Sequence, residues 1–147
     1  METIACRHQQ RLHEKLKALE EVLYDINHVS EWCDEQDQVR ATKLAHMMHD
    51  SLTKRFEYCV DELSNYLAAR VQKPGAMSRA KNMRDVVRLA VHAGVLTPQL
   101  GEQALVMLSI KNSISQLERA DREPFVQDVS NYCNLMKTIV EKHDLQK

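Results

Sequence analysis

Residues 44–67 read LAHMMHDSLTKRFEYCVDELSNYL, and their apolar spacing decides the fold class. Leu44, Met48, Leu52, Phe56, Cys59, Val60, Leu63 and Leu67 recur at helical steps, forming one apolar stripe on a helix of about 3.6 residues per turn. The stripe predicts a long helix over residues 37–71, which KPGAMS at 73–78 ends. Upstream, Leu12, Leu16, Leu19, Leu23 and Ile26 alternate steps of four and three and predict a helix over 7–29, followed by the polar, loop-like SEWCDEQDQ. Downstream, Met83, Val86, Val87 and Ala90 share one face of a short helix, and Gly94 supplies the left-handed residue that stops it. Thr97-Pro98 pairs a capping side chain with a proline at the first helical position. The helix opened there carries Leu100, Ala104, Met107, Ile110, Ile114 and Leu117. Phe125, Val129, Tyr132, Cys133, Met136, Ile139 and Val140 predict a last helix over 123–143.

The expected fold is therefore all-α: four long helices and one short one, with connections short enough to favour an up-and-down antiparallel bundle. At 147 residues and 44% apolar content, the whole of 1–147 reads as a single domain. Only 3 Gly and 3 Pro are present, too few for the turns of a sandwich or barrel.

Twenty basic residues nearly balance 21 acidic ones, which gives no general pull toward nucleic acid or a membrane surface. No apolar run approaches the length of a membrane span, and METIACRHQQR lacks the apolar core of a signal peptide. A cytoplasmic location is the default expectation. Cys6, Cys33, Cys59 and Cys133 form no CxxC pair; Cys59 and Cys133 lie at core spacing and read as small buried hydrophobes. His46 and His49 share a helix face, followed by Asp50, but a metal site would need ligands from a second helix, and none is evident. There is no GxSxG, HExxH, Walker loop or other cofactor motif.

Charge is unevenly distributed. Glu20 to Asp37 holds seven acidic residues and no Lys or Arg, whereas Arg70, Lys73, Arg79, Lys81, Arg84 and Arg88 face the single acid Asp85. These are either solvated faces or contact sites; Arg79, Lys81, Arg84 and Arg88 are candidates for an anion or partner site near the start of the short helix.

Three strings in order carry a family resemblance: Leu52-Thr-Lys-Arg-Phe-Glu-Tyr-Cys59, Arg84-Asp-Val-Val-Arg-Leu-Ala-Val-His-Ala-Gly-Val-Leu96 and Met107-Leu-Ser-Ile-Lys-Asn112. Over roughly residues 10–145 the chain resembles the HEPN family, in particular its branch of substrate-binding subunits of minimal nucleotidyltransferases. That branch has an Arg-Phe-Glu long helix, an Arg-x3-Arg helix ending in glycine, and an Arg-Asn-x4-His segment in the next helix. Arg55-Phe56-Glu57 is the closest match. The resemblance implies a homodimer, a minimal nucleotidyltransferase as partner, and possible contact with nucleotide or RNA. Arg55 and Glu57 read as a structural polar pair, and Glu57 is also a candidate partner for Arg84 or Arg88, since bundle geometry can bring these helices together and a half-buried carboxylate needs a partner.

The third string departs from that pattern. Catalytic members of the family the chain resembles are RNases that use Arg-x4-6-His at a dimer interface; here Lys111 stands for the Arg and Gln116 for the His. Lysine still offers a charge to phosphate, but glutamine has no proton that titrates near neutrality and cannot act as general acid or base. The tyrosine that relatives carry two places later, where a partner attaches nucleotide, is Glu118. Asn112 is kept, and a mid-helix Asn suggests a hydrogen bond across helices or a dimer contact. The expected function is thus a binding subunit and no enzyme, with Lys111, Asn112 and Gln116 as a degenerate motif at an interface. The alternatives are an RNase whose Lys111 works with His92 or His143, and a nucleotide- or RNA-binding protein that uses the 70–88 stretch.

Overall fold

The computed structural model describes residues 4–31, 38–71, 82–114 and 119–144, and every regular element among them is helical. The elements are α1 (Ile4–His28), a single 3-10 turn (Val29–Glu31), α2 (Gln38–Val71), α3 (Met83–His92), α4 (Pro98–Ser113) and α5 (Arg119–Asp144). The protein is all-α, and four of these helices are long while α3 spans 10 residues. α1 packs most extensively on α2, α3 bridges α2 to α4, and α5 closes against α1, with lesser contacts to α4 and α2.

The ends of α3 and α4 follow from local chemistry. Asn82, extended at φ −156°, caps α3 by accepting the amide of Asp85. At the other end, Gly94 turns the chain at φ 78°; Val95 N then bonds Ala90 O at 2.9 Å, which satisfies a carbonyl the helix leaves open. Nothing lies within 4 Å of a Cβ built on Gly94, so conformation rather than crowding calls for glycine there. The Thr97 hydroxyl accepts the Leu100 amide at 3.2 Å, and Pro98 fills the first turn, as the sequence predicts.

α4 spans Pro98–Ser113 with Ile114 as its C-cap, and Leu117, expected in its apolar stripe, lies outside the described residues. One boundary differs from expectation. α5 starts at Arg119 and takes Pro124 inside the helix; proline forfeits one i→i−4 bond, but its fixed φ is helical, so the turn before it continues the helix.

One core cluster runs through all five helices. Leu12, Leu16 and Leu19 of α1 meet Leu52, Phe56, Cys59, Val60, Leu63 and Leu67 of α2, with Val87, Ala104, Met107, Val129, Met136 and Ile139 from the others. Phe56 stands at its centre, edge-on to Phe125 with ring centroids 5.3 Å apart and 5.7 Å from Tyr132. The expected stripe overreaches at its start: Leu44 and Met48 are only half-buried, and continuous burial begins at Leu52. Where α3 crosses α4 the packing is close enough that a Cβ on Gly101 would drive into Cγ2 of Val91. Cys59 and Cys133 are both buried free thiols; burial first, then the charge of Cys133 beside Cys59 and of Glu20 beside Cys133, pushes their pKa values up to about 12 against the opposing pull of nearby lysine and arginine. No described helix is long and apolar enough to cross a membrane.

Candidate binding pocket between α3 and α4

The first turn of α3 and the last turns of α4 enclose a pocket of about 260 Å³ lined by Asn82, Met83, Arg84, Leu108, Lys111 and Asn112. Two of the three strings singled out in the sequence, those around Arg84 and around Lys111-Asn112, therefore meet at one place. Both charged lining residues are cationic, and Leu108 and Met83 give the pocket an apolar floor.

The charges have different partners. Lys111 Nζ donates to Asp61 Oδ1 of α2 at 2.8 Å, so its ammonium is already paired across 50 residues of chain. Arg84 donates through a guanidinium nitrogen to the Ser109 hydroxyl of α4 at 3.0 Å, a neutral acceptor. Asn82 Oδ1 is occupied by the Asp85 amide at 3.0 Å, which turns its NH2 into the group left to donate. Asn112 is exposed on the pocket wall. Asp85, beside Arg84 in sequence, does not line the pocket.

Other predicted site residues fall elsewhere. Arg88 is exposed one turn along α3 and does not line the pocket, while Arg79, Lys81, Gln116 and Glu118 lie outside the described residues. Arg55 and Glu57 do not pair: two residues apart they leave the helix about 200° from one another, and the Arg55 side chain donates to Ser51 at 3.3 Å. Glu57 makes no ion pair among the described residues, and Arg84 bonds Ser109 rather than Glu57. His92 closes α3 at the end opposite Arg84, outside the pocket lining. No group of three or more His, Cys, Asp or Glu among the described residues could hold a metal ion.

Sequence reasoning missed a second polar cluster. Glu62 of α2, 4% exposed, accepts from His8 Nδ1 at 2.7 Å and from Lys15 Nζ at 3.2 Å, both on α1. Burial pushes its carboxyl up, but the bonds from His8 and Lys15, then their charges, outweigh burial and hold the pKa below its ordinary range. A signal was present: Glu62 sits three residues after Cys59 and four before Tyr66, at core spacing. Part of the acidic stretch is likewise structural, since Glu20 pairs with Lys137 of α5.

No family model, curated protein or solved structure matches the chain.

Proposed function

We propose that this chain is a non-catalytic, HEPN-like binding subunit that dimerises and partners a minimal nucleotidyltransferase, holding its substrate or masking it in a toxin–antitoxin type of pair. The observation that carries the reading is the pocket that joins Arg84 to Lys111 and Asn112, two cations and two amides with no imidazole, carboxylic acid or thiol among the lining residues. Such a set is suited to bind and orient an anionic group, and it lacks the imidazole and carboxyl groups that most often transfer protons in catalysis. The motif positions Lys111 and, by sequence, Gln116 agree with binding in place of RNA cleavage.

The reading includes an up-and-down antiparallel arrangement of the four long helices. The packing of α1 on both α2 and α5, and of α4 on α5, is compatible with it. Dimerisation draws support from the α4–α5 face. Gln103, Val106, Asn131, Tyr132 and Leu135 line a shallow groove there without one charged residue, in a chain with 28% charged residues, and Val106 is 57% exposed. A charge-free, partly apolar face matches a second copy of itself better than a strongly charged partner.

The test is reconstitution. Co-expression with a minimal nucleotidyltransferase encoded beside it is expected to give a stable complex on size exclusion, weakened by Arg84→Ala or Lys111→Ala. Independent elution of the two proteins, with no change in the melting temperature of either on mixing, overturns the partnership. RNase activity in the purified chain that is lost on Lys111→Ala overturns the non-catalytic assignment.

A further inference from the structure

Given that the α3–α4 pocket takes an anion, we infer that Asp61 is a built-in competitor for Lys111, which the terminal phosphate of a small molecule must displace to fill the site. Asp61 comes from α2 and is not a lining residue, yet its carboxylate holds the Lys111 ammonium at 2.8 Å. With that bond made, the pocket offers the charge of Arg84 alone, because Arg84 meets a hydroxyl and no carboxylate among the described residues. With it broken, the pocket offers two.

The bond is suited to exchange. The Asp61 side chain is 59% exposed and that of Lys111 25%, so water and salt screen the pair and Asp61 can be solvated as soon as Lys111 turns away. Lysine suits this role because its ammonium is a point charge on a flexible stem and donates in several directions. An arginine forked onto Asp61 would be released less readily.

The donor geometry favours phosphate over carboxylate. Arg84 and Asn82 approach from α3, Lys111 and Asn112 from α4. A terminal phosphate has three oxygens to share among donors arriving from two helices, whereas a carboxylate has two in one plane. The pocket of about 260 Å³, with Leu108 and Met83 in its lining, leaves room for an apolar part of the molecule that carries the phosphate.

The experiment is a low-salt titration of the full chain with inorganic phosphate, methyl phosphate and acetate, followed by amide chemical shifts, for wild type, Asp61→Asn, Lys111→Ala, Arg84→Gln and the double variant Asp61→Asn/Lys111→Ala. Asp61→Asn is expected to bind phosphate about fivefold tighter than wild type and to gain less for acetate. The gain is expected to shrink when Lys111 is already absent, because the competition is then gone. Equal tightening with and without Lys111 makes Asp61 a mere nearby charge and overturns the inference. Phosphate binding that weakens in Lys111→Ala and Arg84→Gln but does not respond to Asp61→Asn also overturns it while leaving the pocket an anion site. No phosphate binding in either wild type or Asp61→Asn, or binding indifferent to Lys111 and Arg84, overturns the anion site itself. A phosphoserine peptide, titrated in the same way, that binds far more tightly than methyl phosphate overturns the assignment to a small molecule. Circular dichroism of each variant verifies that the helices are retained.

Discussion

Glu62 shows how one residue can tie two helices together. Its carboxylate, among apolar neighbours, is tolerable only because His8 and Lys15 reach it from α1. Removing it in Glu62→Ala leaves those donors unpaired, and a loss of about 2–4 kcal/mol in urea unfolding at pH 7 is expected. The folded pKa lies below the ordinary 4.5, so the unfolded chain binds the proton first as pH falls. The stabilisation is therefore complete above pH 4.5 and is lost as pH drops through the folded value. Wild type is expected to weaken relative to Glu62→Ala across that window; parallel pH profiles would show that Glu62 contributes nothing there. The buried thiols give a second test. With pKa values of about 12, Cys59 and Cys133 carry almost no thiolate at pH 8, so alkylation of both is expected only at the rate of unfolding. Peptide mapping that finds either modified in the native protein at the rate of an exposed thiol contradicts that burial.

At the scale of elements, the α3–α4 unit is the best specified part of the chain. Its capping residues Asn82 and Thr97, and Gly94 between the helices, are set by local backbone chemistry. The crossing itself is set by Gly101 against Val91, and the pocket depends on that crossing because Arg84 and Lys111 lie on the two helices. Alanine is a better helix former than glycine by about 1 kcal/mol. Gly101→Ala is nevertheless expected to destabilise by about 1 kcal/mol net, because its Cβ would displace a stiff β-branched neighbour. Val91→Ala in the same chain should relieve most of that penalty. A Gly101→Ala variant more stable than wild type would mean that the helices separate freely, and the pocket would then not be held by this contact.

At the scale of the molecule, one core joins five helices, and among the described residues the proposed partner faces are the cationic pocket at the α3–α4 end and the charge-free groove between α4 and α5. Val106→Asp places a charge in the middle of that groove. It is expected to convert the proposed dimer to monomer in analytical ultracentrifugation without lowering the melting temperature of the monomer fold. A variant that sediments as wild type does would move the self-association surface elsewhere.

The helices were legible in the sequence, because apolar period, caps and turn residues act between neighbours a few positions apart, as in Leu12, Leu16 and Leu19 or Thr97-Pro98. The sequence also marked Arg84, Lys111 and Asn112 as unusual. It did not tell that these three share a pocket, that Lys111 is held by Asp61, or that Phe56 rather than the polar residues beside it ties α2 to α5. Nor did it say that Glu62 would be buried beneath His8 and Lys15. Those facts depend on which faces of distant helices meet, across 47 to 54 residues of chain for the polar contacts. Amphipathic stripes require that helices pack, but several pairings satisfy them equally, and only the tertiary structure chooses among them.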